Sequence, residues 1–441
     1  MSIDQTCARI EIQALDGWQK VQLGKAARIR RGASPRPIDD PRWFAESGPG
    51  WVRISDVTRS KGRLQETEQY LSQDGANRSV RVSHGDVIMS ICATIGEPII
   101  VDMDACIHDG FVVFDEYRGS LDREFFLHLL RKLTPVFKSS GQVGTQANIN
   151  TGIVGGKEVW IPINIREQTR IAYVLDTIDG AIAKSEAVIA KLKQVRAGML
   201  HDLLSYGLDE HGQLRDPIAH PEQFKDSPLG RIPKDWKVSR IEDVSEKVQD
   251  GTHFSPKSNS GPRRYLTSKN IRLGYLNLTD CGWISENEHR GIFRRCDVRK
   301  NDVLLTKDGA NTGNTAINIL DDDFSLLSSV AFIRGKEGQL ISEYLLNYLL
   351  SPVSQKRIKD LVSGNAITRL TLKKIKDFTI PVPGHNEQEM IAAHLKKCTQ
   401  NISAHEAELE SHQNIKSGLQ DDLLTGRVRV PETVMEGAAG A

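Results

Sequence analysis

Residues 171–203 read IAYVLDTIDGAIAKSEAVIAKLKQVRAGMLHDL, and residues 391–423 read IAAHLKKCTQNISAHEAELESHQNIKSGLQDDL. In the first, Ile171, Leu175, Ile178, Ile182, Ser185, Ile189, Leu192, Arg196, Met199 and Leu203 follow one another at alternating steps of four and three. In the second, 220 residues on, the series is Ile391, Leu395, Cys398, Ile402, His405, Leu409, His412, Lys416, Leu419 and Leu423. A period averaging about 3.5 residues is the seam of a coiled coil, and no proline interrupts either run. Each run spans about 50 Å at ~1.5 Å per residue. Parallel pairing of the two copies would set Arg196 against Lys416. Antiparallel pairing separates these cations and brings Ile189 to His405 and Arg196 to Cys398. The pattern predicts antiparallel pairing within one chain.

Working outward from the two helices exposes a repeat of about 220 residues. Trp18-Gln-Lys-Val answers Trp236-Lys-Val, and Ile29-Arg-Arg-Gly-Ala-Ser-Pro answers Val248-Gln-Asp-Gly-Thr-His-Phe-Ser-Pro. Gly85-Asp-Val-Ile-Met-Ser answers Asn301-Asp-Val-Leu-Leu-Thr. Ile161-Pro-Ile with Glu167-Gln168 answers Ile380-Pro-Val with Glu387-Gln388, and Asp202-Leu-Leu answers Asp422-Leu-Leu. Shared order at a nearly constant offset marks an internal duplication. The part before each long helix mixes short apolar runs with Gly and Pro breaks, which read as strands. It also carries one helix, around Phe125–Leu130 in one copy and Tyr344–Leu350 in the other. The expected class is α+β: two pseudo-repeated globular α/β-mixed domains separated by two long helices in an antiparallel coiled coil. The expected boundaries are 1–165, a first domain; 166–205, the first long helix; 206–235, a polar linker; 236–383, a second domain; 384–426, the second long helix; and 427–441, a disordered tail.

The chain of 441 residues carries 58 Lys and Arg against 57 Asp and Glu, a net charge of +1. Such balance argues against a uniformly basic coat, but the charge is unevenly spread. Residues 18–160 hold 19 basic and 17 acidic side chains, residues 236–380 hold 23 and 17, and the second long helix holds 3 and 7. Cations cluster in break-rich stretches: Arg28, Arg30, Arg31, Arg36, Arg42, Arg53, Arg59, Lys61 and Arg63, then Lys257, Arg263, Arg264, Lys269 and Arg272, followed by Arg290, Arg294, Arg295, Arg299 and Lys300. Arginine forks suit phosphate oxygens and guanine edges. Loops held on a scaffold are where such contacts form. Two loops recur in both halves. One is Arg31-Gly32-Ala33-Ser34-Pro35, with Asp250-Gly251-Thr252-His253 as its counterpart. The other is Gly141–Asn148, with Gly364–Arg369 as its counterpart. Asn and Gln pair with adenine and Arg with guanine. Candidate DNA contacts are therefore Arg30, Arg31, Ser34, Arg36, Arg53, Arg59, Arg63, Thr145, Gln146 and Asn148 in the first half. In the second half they are Thr252, His253, Lys257, Arg263, Arg264, Lys269, Thr368 and Arg369.

Catalytic patterns are missing. Gly155-Gly156-Lys157 is followed by Glu158, so no phosphate-binding loop forms, and neither His-Glu-x-x-His nor Gly-x-Ser-x-Gly occurs. Asp321-Asp322-Asp323 reads as a solvated turn, and no metal or cofactor site is expected in this chain. The six cysteines (7, 92, 106, 281, 296, 398) form no Cys-x-x-Cys pair, which fits reduced thiols. The first residues lack the basic and apolar regions of a signal peptide, and no run approaches the ~18 apolar residues of a membrane span, so a cytoplasmic chain is expected.

Taken together, the repeat, the Gly-Ala-Ser-Pro and Gly-Thr-His loops and the Ile-Pro…Glu-Gln helix entries resemble the specificity (S) subunit of type I DNA restriction–modification enzymes. His201-Asp-Leu-Leu-Ser-Tyr-Gly-Leu-Asp-Glu-His-Gly-Gln-Leu and Leu229-Gly-Arg-Ile-Pro-Lys-Asp-Trp strengthen the likeness, which covers nearly the whole chain. The resemblance implies a non-catalytic subunit in which each globular part reads one half of an asymmetric, bipartite DNA site. It implies two modification subunits, which methylate adenine with S-adenosylmethionine, and two restriction subunits, which use ATP and magnesium. Base-contacting residues do not carry over by motif, because recognition loops vary within that family. A free-standing DNA-binding regulator is the competing reading, and co-purification with a methyltransferase subunit discriminates the two.

Overall fold

The computed structural model describes residues 16–60, 62–140, 148–363 and 369–434. The chain divides into two compact units: residues up to 186 with 407 onward, and residues 187–406. Both long helices therefore contribute to both units.

In the first unit a five-stranded sheet runs in the order Arg28–Arg31, Phe111–Asp115, Val87–Ser90, Pro98–Val101, Arg63–Leu64. Its central strands are mostly apolar, polar only at ends such as Ser90 and Asp115, because both faces are covered. Val87, Met89, Val112 and Phe114 point into one core with Phe125, Phe126 and Leu130 of the helix Arg123–Ser140. The alternate residues Ile88, Phe111 and Val113 enter a second core with Val52, Val101 and Ile107. This second core includes residues of a four-stranded sheet ordered Tyr70–Leu71, Phe44–Val52, Ala105–Ile107, Val80–Val82. Trp18–Gln22 pairs antiparallel with Glu158–Pro162, joining the beginning of the domain to its end.

The second unit repeats this plan. Ser245–Asp250, Val330–Gly335, Val303–Thr306 and Thr315–Ile317 form a sheet in the same relative order, and Lys237–Arg240 pairs with Thr379–Val382. Val303, Leu305, Ala331 and Ile333 face one core, while Leu304, Val330 and Phe332 face the other. The helix Ser342–Leu350 takes the place of Arg123–Ser140 and is followed by a second helix, Pro352–Ser363. The duplication seen in the sequence is thus a duplication of topology.

The long helices span Ile165–Ser205 and His385–Leu423. Within the first unit, Ser185 Oγ lies 3.3 Å from His412 Nδ1 and Lys416 pairs with Asp179 at 2.6 Å. Within the second, Arg196 Nε donates to Thr399 Oγ1 at 3.0 Å and Lys193 pairs with Glu406 at 2.7 Å. Contacts advance along one helix as they retreat along the other, so the pairing is antiparallel. Arg196 meets the neighbour of the expected Cys398. Of the seam residues, Ile171, Leu175, Ser185, Ile189, Leu203, Ile391, Leu395, Ile402 and Leu423 are buried. Ile178, Ile182, Leu192, Met199, Leu409 and Leu419 are half-buried. A fully buried Leu or Ile contributes about 1.5–3 kcal/mol, an exposed pair such as Lys193–Glu406 about 0–1, so the apolar seam holds the helices together.

Each helix is anchored at its start in the same way. Gln168 Nε2 donates to Pro162 O (2.8 Å) and Ser120 O (3.1 Å), and its Oε1 accepts from Asp122 N (2.8 Å). Gln388 does the same with Pro383 O (3.0 Å), Gln339 O (2.8 Å) and Ile341 N (2.9 Å). The preceding glutamates accept indole hydrogen bonds, Glu167 from Trp18 (3.3 Å) and Glu387 from Trp236 (3.1 Å). Each is also clamped by an arginine that follows the other long helix: Arg429 on Glu167, and Arg215 on Glu387 at 2.6 Å. The expected disordered tail needs correction over 427–434. Arg429 holds Glu167 at 2.6 Å through Nη2, Val430 is buried in the first unit's core, and Glu432–Val434 forms a helical turn. The linker likewise carries structure, a hairpin of Phe224–Ser227 with Gly230–Pro233.

Candidate nucleic-acid interface

In both units the first recurring loop leaves the edge strand of the main sheet at a glycine. Gly32 N donates to Phe111 O (2.9 Å) and Gly251 N to Val330 O (3.2 Å). A Cβ at Gly32 would lie 2.1 Å from His108 O, and one at Gly251 2.0 Å from Leu326 O. Only glycine permits so close a backbone approach.

The loop beyond Gly32 is organised by Asp109. Ser34 Oγ donates to its Oδ1 (2.7 Å), Arg36 reaches Oδ2 (3.2 Å), and Arg31 Nε donates to its carbonyl (2.8 Å). The Ser34 hydrogen bond, ahead of the nearby Arg36 and His108 charges, holds the Asp109 carboxyl below the usual range. Next to it, His108 packs against Phe111 and Trp51, and burial lowers its affinity for a proton. Its Nδ1 accepts from Gly110 N at 2.9 Å, which leaves the ring proton on Nε2. The second recurring loop returns to the same place: Asn148, exposed, is bridged to Cys92, whose Sγ contacts Gly110 O at 3.6 Å.

In the second unit the corresponding centre is Asp250, 2% exposed. It faces Lys307 Nζ (3.3 Å), His253 Nε2 (3.3 Å) and Arg295 Nη2 (3.4 Å). Arg369 is bridged to Asp308, which lies beside Lys307. Thr252, His253, Phe254, Gly291, Ile292 and Arg295 line a pocket of about 250 Å³. The described end of the second recurring loop, Asn148 in one unit and Arg369 in the other, therefore lies beside the network that organises the first. What the arrangement offers is a rigid edge carrying cations, amide and hydroxyl groups and one exposed aromatic, Phe254.

Several candidates sit elsewhere or are engaged. Thr252 needs correction: it is 4% exposed, its amide donates to Leu326 O, and its hydroxyl turns back toward Phe254 N, so its side chain is not displayed. Arg63 lies on the opposite edge of the sheet from Arg30 and Arg31. There it pairs with Asp102 (2.9 Å) and Glu124, and it lines a groove of about 410 Å³ with Asp176, Asp179 and Glu186. Burial raises the Glu124 carboxyl in that groove, although Arg63 opposes the shift. Arg30 pairs with Asp115 (2.6 Å), Arg59 with Asp56 (2.9 Å) and Glu68 (2.6 Å), and Arg53 donates to Gln69 (2.5 Å). Arg263 holds Glu286 (2.7 Å), Lys269 holds Asp280 (2.8 Å), and Arg264 holds Asp322 (2.7 Å) while stacking on Trp283. Lys257 is exposed, and its amide donates to Glu288. Thr145, Gln146 and Thr368 lie outside the described residues.

The cations are thus not a bare positive surface. Their pairs are largely exposed and therefore weak, so a phosphate can displace the carboxylate at little cost. Sequence reading missed Lys307, Asp109 and Phe254, and named Arg295 only within a run of cations. Phe254 alone carried a signal, as a large aromatic inside a polar loop. Asp321 and Asp322 serve as ion-pair partners of Lys300 and Arg264, and no cluster of His, Cys, Asp and Glu suited to a metal occurs among the described residues.

Comparison with known proteins adds an independent view. A family model described as the type I restriction modification DNA specificity domain matches the chain twice, at residues 16–194 and 233–411. The type I restriction enzyme MjaVIII specificity subunit of Methanocaldococcus jannaschii is 23% identical over 422 residues, spanning 94% of each chain. The EcoBI specificity subunit of Escherichia coli is 21% identical over 401 residues, 87% of this chain and 79% of the other. A crystal structure of the S subunit of a type I restriction–modification system from M. genitalium superposes with a TM-score of 0.57 at 15% identity, covering 92% of this chain and 96% of that one, a likeness of fold.

Proposed function

Because the chain belongs to the family defined by the type I restriction–modification DNA specificity domain, which it carries twice, we propose that it chooses the DNA site at which a modification–restriction complex acts. It performs no bond-making chemistry. Each recognition domain reads one half-site, and the target is bipartite and asymmetric because the two converged loop sets differ in chemistry. The observation that carries this reading is that difference on a common scaffold. Asp109, Ser34, Arg36 and Asn148 stand at one edge, and His253, Arg295, Phe254 and Arg369 at the other. A chain that displayed one loop twice would read a symmetric site.

The same reading assigns the partners. The duplicated domain-and-helix unit offers two like surfaces for two copies of a modification subunit, with two restriction subunits completing the complex. S-adenosylmethionine, ATP and magnesium belong to those subunits. The antiparallel helices act as the spacer between half-sites. No described helix is long and apolar enough to cross a membrane, and a DNA-reading chain of this kind works in the cytoplasm. Coexpression with a modification subunit tests the assignment. The two should co-purify and, with S-adenosylmethionine, methylate duplex DNA at defined sites. Recovery of a chain that binds DNA with no such partner would favour the free-standing regulator instead.

A further inference from the structure

We propose that Arg369 is the guanine-reading residue of the second recognition domain, and that Asp308 and Lys307 are positioning residues that aim it. This deepens the half-site assignment and rests on it.

The two domains place the same backbone at this point. Ile149 N donates to Ile91 O (3.0 Å), and Leu370 N to Lys307 O (2.9 Å). Ile91 N donates to Gly110 O (2.8 Å), and Lys307 N to Ser329 O (2.9 Å). Asn148 is bridged to Cys92, and Arg369 to Asp308. Ile91, Cys92 and Asn148 of the first domain therefore occupy the positions of Lys307, Asp308 and Arg369 in the second. The fold stands without charge at these three positions in the first domain, so folding alone does not demand it in the second.

The charges form a chain with a direction. Lys307 is 2% exposed, and its Nζ sits between Asp250 Oδ2 (3.3 Å) and Asp308 Oδ2 (3.6 Å). Burying an ammonium is costly unless it is paired, and here two carboxylates pair it. Asp308, 27% exposed, in turn approaches Arg369 Nε at 2.9 Å. Arg369 is itself 40% exposed, and its contact with Asp308 is an ion pair, Oδ1 accepting no hydrogen bond. A guanidinium anchored by an ion pair at its base and exposed beyond it can present its planar pair of donors outward, the arrangement that bonds O6 and N7 of guanine together. The same fork also bonds phosphate, and the two roles differ in consequence: a base contact acts at one motif position, a phosphate contact on all sequences alike. Asp250 also faces His253 and Arg295, so Arg369 shares one charge network with the loop that follows Gly251.

The full chain, assembled with its modification subunits, is compared as parent, Arg369→Lys and Asp308→Asn by mapping methylated sites across a genome. Arg369→Lys keeps the charge and the exposed position, so folding is preserved while the fork is lost. The parent motif should contain a guanine at which Arg369→Lys loses about 10- to 100-fold in discrimination, with every other position intact. Asp308→Asn should relax the same position, to a smaller degree. An Arg369→Lys motif identical to the parent's overturns the proposal. So does a parent motif without guanine, or a weakening spread evenly over all positions with a shallower salt dependence, which marks a phosphate contact. A bipartite parent motif with unaffected variants defeats this inference alone; a parent that methylates no defined site defeats the half-site assignment beneath it.

Discussion

Replacing Arg215 with alanine removes the guanidinium that closes the Trp236–Glu387 clamp. The pair is well buried, with side-chain exposures of 11% for Arg215 and 8% for Glu387. Glu387 would keep the Trp236 indole (3.1 Å) and the Leu208 amide (2.8 Å) but lose its only countercharge among the described residues. Breaking one side of a buried ion pair costs about 3–5 kcal/mol, and the two surviving hydrogen bonds put the loss near the lower end. The matching change, Arg429→Ala, acts on an arginine that is 50% exposed over a Glu167 that is 4% exposed. Solvent screening reduces that loss to about 1 kcal/mol. For units of this size, about 2–4 °C of melting temperature is lost per kcal/mol. The second unit should therefore melt about 6–12 °C lower in Arg215→Ala, and the first about 2–4 °C lower in Arg429→Ala. Circular dichroism with tryptophan fluorescence at neutral pH reads both, since Trp236 and Trp18 sit at the clamps. Added salt should shrink the Arg429 effect more than the Arg215 effect. Equal losses, or an Arg215→Ala loss below about 1 kcal/mol, would refute the reasoning from burial.

Other expectations follow from single contacts. Arg31→Ala should weaken DNA binding and lower the salt slope by about one, while Arg63→Ala, at the far edge of the sheet, should leave the binding isotherm unchanged; the reverse ranking would move the interface. Gly251→Ala should cost about 1–3 kcal/mol by overpacking against Leu326 O and should impair DNA binding through the displaced loop, as urea titration and a binding isotherm would report. Cysteines at Ser185 and His412 should crosslink on oxidation, as non-reducing electrophoresis would show, whereas parallel helices would keep them apart. Burial pushes the Cys106 thiol up to about 11 and Cys296 up to about 12; a thiol reacts as its thiolate, so iodoacetamide mapping near pH 8 should label half-buried Cys281 well before either of them.

The long helices were legible because a 3.5-residue period survives in sequence whatever the partner is, and the seam cations Arg196 and Lys416 even announced the pairing direction. The duplication was legible through Trp18 and Trp236 and the two Glu-Gln pairs, but their job was not. Arg215 and Arg429 complete the clamps from segments that read as linker and tail, and no spacing links them to glutamates 172 and 262 residues away. The same limit applied to the interface. Gly32 and Gly251 marked the loops, yet the arginines looked free because Asp115, Asp102 and Glu286 approach from other elements of the fold. Lys307 was hidden at the end of the apolar run Val303–Thr306, where a charge reads as the end of a strand and only the fold reveals Asp250 opposite it.

The central claim is that one chain carries two unlike readers of DNA. Single-molecule mapping of methylated bases in cells that express the chain with its modification subunit tests it most directly. The account predicts one motif made of two different half-sites separated by unspecified bases. A single contiguous motif, or a palindrome with identical halves, would contradict it.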